Sequence, residues 1–318
     1  MLVYILFLIG LVLLIKGADL LVDGASSIAK KLKISAIVIG LTIVAFGTSM
    51  PELIVNIFAS LGGNTDIAIG NILGSNIANV LLILGISAII YPLTTKKNTV
   101  WKEIPLSLLA AIVLGVMAND MLIDGAGFSG LTRIDGIILI AFFIIFLYYT
   151  FGIAKISGEA PDTEVTQYGY LKSALYIVGG LAGLALGGKW IVDGAVKIAE
   201  LFEVSQSLIG LTIVAVGTSL PELVTSAIAA YKKQPDIAIG NIVGSNIFNI
   251  FWILGVSAII RPLPFSANSM VDILMTVFAS LILFVIMFVG KRHMVERWQG
   301  ALMVVVYIGY IGFLIVNQ

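Results

Sequence analysis

Two glutamates, Glu52 and Glu222, occupy matching stretches of the sequence, Gly47-Thr-Ser-Met-Pro-Glu52 and Gly217-Thr-Ser-Leu-Pro-Glu222. Each acid follows two hydroxyls, Thr48 and Ser49 or Thr218 and Ser219. The four-residue step from each Thr to its Glu puts hydroxyl and carboxylate on one helical face. Pro51 and Pro221 cannot donate to the carbonyls four residues back, at Gly47 and Gly217, so each helix should break or kink beside its acid. Main-chain carbonyls around Ala45–Gly47 and Ala215–Gly217 then become candidate ligands. A polar stripe follows at four-residue spacing in each copy: Asn71, Ser75 and Asn79, then Asn241, Ser245 and Asn249. Asn76 and Asn246 stand off the stripe and suit a structural hydrogen bond. Every candidate ligand is an oxygen, a set that suits hard cations; soft metals seek sulfur or imidazole. Two negative charges match one Ca²⁺, or two or three Na⁺ spread over neighbouring subsites, whereas Mg²⁺ gives up its water reluctantly. A pair of acids that takes either load, but not comfortably both, can support exchange. The plainer alternative is that both acids are protonated and only hydrogen-bonded.

The elements that must carry these oxygens are membrane helices. The chain has 318 residues and 33.8 kDa, is 59% hydrophobic and 11% charged, and has a mean hydropathy of +1.10. Soluble domains are about half apolar and about a quarter charged. The imbalance excludes a soluble enzyme and a disordered chain. With 18 basic against 18 acidic residues there is no basic excess for nucleic acid. No Cys and a single His, His293, exclude disulfide scaffolds, thiol catalysis and Cys/His zinc sites.

A crossing takes roughly 20 apolar residues, and breaks at charges and turn residues divide the chain into ten. Five spans are expected at about 2–20, 36–61, 66–91, 102–122 and 134–154, and five at about 171–191, 205–231, 236–260, 268–290 and 297–316. The first lacks a basic segment before it and suits a retained helix better than a cleaved signal. The expected fold is an all-α polytopic membrane protein in two five-helix units, 1–154 and 171–318, joined by a cytoplasmic linker at 155–170. Ten alternating spans put 13 of the 18 basic residues on one side, among them Lys30, Lys31, Lys96, Lys232 and Arg292. That side should be the cytoplasm, with both termini outside. Asp19, Asp23 and Asp193 lie near membrane boundaries and suit shaping the first and sixth helices rather than binding ions. His293, beside Lys291 and Arg292, is expected to be solvated.

Residues 40–90 align without a gap to 210–260, with 32 of 51 positions identical. Each unit has five spans, an odd number, so the second copy must enter the membrane from the opposite face. The loop charges agree: Lys30, Lys31 and Lys33 face Glu200 and Glu203 in the second copy, and Gly62-Gly63 faces Lys232-Lys233. Inverted repeats of this kind mark secondary transporters, with the substrate site near the midplane. Gly70, Gly74, Gly240 and Gly244 should let the stripe-bearing helices approach a partner closely.

The paired Gly-Thr-Ser-x-Pro-Glu and Gly-Asn-Ile-x-Gly-Ser-Asn-Ile-x-Asn motifs resemble the two alpha-repeats of sodium/calcium exchangers, in the cation/calcium antiporter superfamily, and the compact chain looks like a prokaryotic member. The resemblance implies that Glu52, Thr48, Glu222 and Thr218 are calcium ligands. It implies an outer sodium subsite of Glu52, Ser75, the Ala215 carbonyl, Thr218 and Ser219. An inner subsite would use the Ala45 carbonyl, Thr48, Ser49, Glu222 and Ser245, and a middle position Glu52, Asn79, Glu222 and Asn249. It further implies exchange of three Na⁺ for one Ca²⁺ with one net charge moved, and a first and sixth helix that slide against an eight-helix core. Potassium-dependent relatives carry Asp at the place of Asn249, so the amide implies potassium independence.

The function expected is therefore a Na⁺/Ca²⁺ antiporter, multi-pass in the cell membrane, with no tightly bound cofactor and no obligatory protein partner beyond the lipid bilayer. An H⁺/Ca²⁺ antiporter on the same fold is the alternative, with a cation channel further off. An intramembrane enzyme would need a nucleophile with a base, or a catalytic acid pair.

Overall fold

A computed structural model describes residues 2–125, 127, 129–156, 166–201, 215–265 and 267–316. Helix α1 is Leu2–Leu32, α2 is Ala36–Thr48 and α3 is Met50–Gly62; α4 is Thr65–Ile90, α5 is Thr99–Met117 and α6 is Arg133–Ile156. The second half has α7 at Tyr170–Leu201, α8 at Ala215–Thr218, α9 at Leu220–Tyr231, α10 at Pro235–Ile260, α11 at Ala267–Ile286 and α12 at Arg297–Val316. Eight of these, α1, α4 to α7 and α10 to α12, contain stretches long and apolar enough to cross a bilayer, and α2 with α3 forms a further span bent by 46°. Residues 205–214, the first part of the expected seventh span, lie outside the described residues, as do 157–165 of the expected linker.

Helices α4 and α10 are the most buried of the described spans, while the outer helices expose Leu8, Val12, Phe58, Tyr148, Leu171 and Val305. Such a surface suits lipid, and a helix satisfies its own backbone there. Both central helices loosen into π-helical turns, Asn79–Leu84 and Phe248–Leu254, and α2 has one at Gly40–Val44. π turns collect at functional sites.

The halves interlock. Strand β1 (Leu93–Thr94), after α4, pairs antiparallel with β4 (Met294–Val295), between α11 and α12; β2 (Gly130–Leu131), between α5 and α6, pairs with β3 (Leu263–Pro264), after α10. The offset of 170 carries β1 onto β3, so the two ribbons are counterparts. His293 is half-buried at the first ribbon rather than solvated, with its Nε2 enclosed; its main-chain N–H donates to the Met287 carbonyl and its main-chain carbonyl accepts from the Thr95 N–H.

Glycines set the closest helix approaches. A Cβ on Gly17 of α1 would stand 2.8 Å from the Gly180 carbonyl oxygen, and one on Gly180 of α7 2.7 Å from the Gly17 carbonyl oxygen. Gly240 and Gly244 do the same for α10 against α2, where a Cβ would meet the Ile37 and Leu41 carbonyl oxygens at 2.8 and 2.7 Å. Around Gly70 and Gly74 no described atom comes within 4 Å of such a Cβ.

The sequence pattern ends the first and sixth spans at residues 20 and 191, but α1 runs on to Leu32 and α7 to Leu201. Charge is a poor guide to a helix end here: Asp19 and Asp23 lie within α1, and Lys232, in the α9–α10 turn, reaches a carboxylate oxygen of each at 2.6 Å. Burial lowers the pKa of the Lys232 ammonium, but hydrogen bonds and charge from Asp19 and Asp23 outweigh it, and the net shift is upward. A raised lysine pKa contributes stability that is complete below the unfolded value and lost as pH rises through the folded one. The lysine therefore keeps its charge across neutral pH and gives up the tie in alkali. Lys232→Met is expected to cost about 1–2 kcal/mol, read as a lower melting temperature in detergent. High salt, which screens partly exposed charges, should narrow the gap to the parent; a gap unchanged between low and high salt would refute an electrostatic origin.

Candidate functional site

The break between α2 and α3 falls at Ser49 (φ −83°, ψ 8°), and the equivalent Ser219 between α8 and α9 has φ −87° and ψ 5°. Pro51 and Pro221 lie in the first turn after each break. One expectation needs correction. The Ala45 carbonyl is not freed from the main chain, because it accepts from the Ser49 N–H at 3.0 Å; a carbonyl has two lone pairs, so one remains for another partner.

Both acids are buried, Glu52 with 0% and Glu222 with 1% of its surface exposed. Glu52 Oε1 accepts from Ser75 of α4 at 3.5 Å and from Ser219 of the other half at 3.3 Å. Glu222 Oε1 accepts reciprocally from Ser245 of α10 at 3.5 Å and from Ser49 at 2.9 Å. The serines meet in pairs, Ser49 with Ser245 at 3.0 Å and Ser219 with Ser75 at 3.1 Å. Thr48 donates to Asn241 Oδ1 at 3.0 Å, and Thr218 to Asn71 Oδ1 at 3.3 Å. The hydroxyls beside each break are thus tied to the opposite half, a pattern reciprocal under the repeat offset.

Between the two breaks lies a quartet of asparagines. Asn79 Nδ2 donates to Asn246 Oδ1 at 3.0 Å, and Asn249 Nδ2 donates to Asn76 Oδ1 at 2.9 Å. Asn76 and Asn246 each donate to the other's main-chain carbonyl at 3.4 Å. They make the structural hydrogen bonds expected of them, and they also aim the amides of Asn79 and Asn249.

Of the buried oxygens without a hydrogen-bond partner among the described residues, four belong to this cluster: Glu52 Oε2, Glu222 Oε2, Asn79 Oδ1 and Asn249 Oδ1. The ion pairs made by Lys189 and Lys232 go to Asp19, Asp23 and Asp193, none to either glutamate. Leaving a buried carboxylate oxygen unpaired is costly. The arrangement can hold a cation.

Sequence reasoning missed Asn56 and Ser226, which contact Asn71 and Asn241. A signal was present, since each stands four residues after its glutamate on the same face. It also missed two acids at span edges. Buried Glu103 accepts from Tyr149 at 2.8 Å, and Asp272 accepts from Tyr310 at 2.5 Å.

Broken helices paired around buried acids, inside a bundle of apolar helices, define a membrane transport protein of the repeat-built kind. The family profile described as sodium/calcium exchanger protein matches residues 2–152 and 172–316. The chain belongs to the sodium/calcium exchanger family, whose members are transporters and not enzymes. It is 40% identical over 316 residues to a putative antiporter, CaxA, of Alkalimonas amylolytica, covering 96% of each chain. It is 34% identical over 340 residues to the sodium/calcium exchanger MaX1 of Methanosarcina acetivorans, covering 97% of each. Its structure resembles that of the sodium-calcium exchanger NCX_Mj soaked with Na⁺ and Ca²⁺, with a TM-score of 0.84, 38% identity and 98% of each chain covered.

Proposed function

We propose that this chain is an electrogenic, potassium-independent antiporter that exchanges three Na⁺ for one Ca²⁺ across the cell membrane by alternating access. In this reading ten helices form two inverted repeats, 1–154 and 171–318, joined at 155–170, with both termini outside. The observation that carries it is the set of four buried, unpartnered oxygens on Glu52, Glu222, Asn79 and Asn249, two of them on carboxylates. Ca²⁺ would take Glu52, Glu222, Thr48 and Thr218. Na⁺ would take Glu52, Ser75, Thr218, Ser219 and the Ala215 carbonyl on one side, and Thr48, Ser49, Glu222, Ser245 and the Ala45 carbonyl on the other, with Glu52, Asn79, Glu222 and Asn249 around a middle position. The exchangers MaX1 and NCX_Mj support sodium and calcium as the exchanged ions, and NCX_Mj was also soaked with Sr²⁺.

A buried carboxylate without a basic partner also binds a proton, which favours H⁺/Ca²⁺ exchange as the second reading. Proteoliposomes under a clamped potential separate the two. Sodium-driven ⁴⁵Ca²⁺ uptake that ignores a protonophore and responds to voltage supports the proposal. Uptake that follows the pH gradient and ignores Na⁺ supports the second. Flux without any counter-ion would point to a channel.

Asn249→Asp places a carboxylate oxygen where the amide now donates to Asn76 Oδ1. Two acceptors would then face each other, so the new acid must recruit a proton or a cation. The expected result is about a tenfold change in half-saturating Ca²⁺ or Na⁺, or an added pH dependence below neutrality. Selectivity and pH profile both equal to the parent would remove position 249 from the site.

A further inference from the structure

Asn71 and Asn241 belong to the polar stripe, yet their contacts set them apart from Asn79 and Asn249. Their oxygens are already engaged, by Thr218 and Thr48. Asn71 Nδ2 donates to Asn56 Oδ1 at 2.6 Å and to the Glu52 carbonyl at 3.4 Å. Asn241 Nδ2 donates to Ser226 Oγ at 3.0 Å and to the Glu222 carbonyl at 3.5 Å. Among the buried atoms without partners, none belongs to either residue.

We propose that Asn71 and Asn241 are positioning residues that fix the hydroxyl protons of Thr218 and Thr48, so that both threonines present lone pairs to the transported cation. A threonine hydroxyl has one proton and two lone pairs, and a cation needs the lone pairs. Thr48 has Asn241 Oδ1 at 3.0 Å and the Ala45 carbonyl at 3.3 Å in reach, and the Glu222 carboxylate lies beside it as a third acceptor, one that a bound cation would claim. The Ala45 carbonyl already accepts from Ser49 N–H. If the Thr48 proton also went there, both of its lone pairs would be used. By taking that proton, Asn241 keeps two oxygens free for the cation.

The direction of each chain of bonds follows from groups that can only accept. Asn56 Nδ2 donates to the Ala68 carbonyl at 3.0 Å, so Asn56 Oδ1 must accept from Asn71, and Asn71 Oδ1 must accept from Thr218. In the second half the group that can only accept is the Glu222 carbonyl, which takes the Asn241 amide at 3.5 Å, and Ser226, in the place of Asn56, receives the same amide on its hydroxyl. A serine is therefore sufficient at this position.

The inference rests on the proposed site, and its test uses variants that separate the two. Half-saturating Ca²⁺, maximal exchange rate and detergent melting temperature are measured for the full chain in proteoliposomes and in micelles. Asn71→Leu and Asn241→Leu should each raise half-saturating Ca²⁺ by about tenfold or more, the usual scale for groups that orient metal ligands, with a smaller change in maximal rate. Asn56→Leu, which alters no proposed ligand, should raise it several-fold, and Asn56→Ser should restore it to within about twofold. Parental half-saturation in both Leu variants at 71 and 241 would overturn the proposal. So would Asn56→Ser as impaired as Asn56→Leu, or a loss that follows melting temperature alone. Glu52→Gln is the control for the site: full activity there would defeat the ion-site reading, whereas inactivity beside unaffected asparagine variants would defeat only this one.

Discussion

Glu52→Gln is expected to reduce Na⁺-driven Ca²⁺ uptake to less than about a hundredth of the parental rate, and Glu222→Gln to do the same. The substitution keeps shape and burial but removes one of two negative charges. At about 4 Å and an effective dielectric of about 20, each unit pair contributes roughly 4 kcal/mol, and a divalent ion doubles this before desolvation offsets part of it. Even a residual loss of about 3 kcal/mol exceeds a hundredfold in affinity. The Gln amide would also turn a donor toward the place of a metal ligand. The fold should survive, because Ser75 and Ser219 can still bond the remaining oxygen, as they bond Glu52 Oε1 now. Melting temperature checks that the variants fold, and ⁴⁵Ca²⁺ uptake measures the loss of exchange. Uptake above a tenth of the parent in either variant would mean that the acids do not act as one site.

The second large effect concerns packing. Gly180→Ala should lower the melting temperature by roughly 5 °C, whereas its neighbour Gly179→Ala should leave it unchanged or slightly raised. A Cβ on Gly180 would lie 2.7 Å from both the Gly17 carbonyl oxygen and the Leu21 nitrogen, main-chain atoms with no rotamer to move aside. At Gly179 nothing described lies within 4 Å. Overpacking of this kind costs about 1–3 kcal/mol, and in a chain of this size each kcal/mol moves the midpoint by a few degrees. Alanine at the open position gains helix propensity instead. Equal melting of the two variants would show that α1 and α7 can separate without penalty.

The candidate site was largely legible because it is written twice. Identical polar residues at a fixed offset in an apolar chain picked out Glu52, Glu222, the hydroxyl pairs and the asparagine stripe, and Pro51 and Pro221 located the breaks at Ser49 and Ser219. What the repeat did not mark was Asn56 and Ser226, where the copies differ and only the shared hydrogen bond relates them. The crossing of partners was equally hidden, since the Ser49 bond to Glu222 spans 173 positions and no local pattern encodes it. Helix ends failed for a related reason: Asp19 and Asp23 look like a stop until Lys232 is brought to them from the other half. The ribbons are two residues to a strand, too short for an alternation to show.

That lysine has a consequence of its own. The repeat offset places Lys189 at the position of Asp19, Asp193 at that of Asp23, and Gly62 at that of Lys232. On α7 the acid and base satisfy each other, Lys189 to Asp193 at 3.2 Å on an exposed surface, and Gly62 has no side chain to reach across. The candidate cation site is a near-perfect palindrome, but its moorings are not. Any displacement of α1 from its half-buried anchorage would rupture two contacts of 2.6 Å, whereas the Lys189–Asp193 pair lies within α7 and would travel with it. Among the described residues, a protein that spells the same word in both directions is hung, at this corner, from one hook.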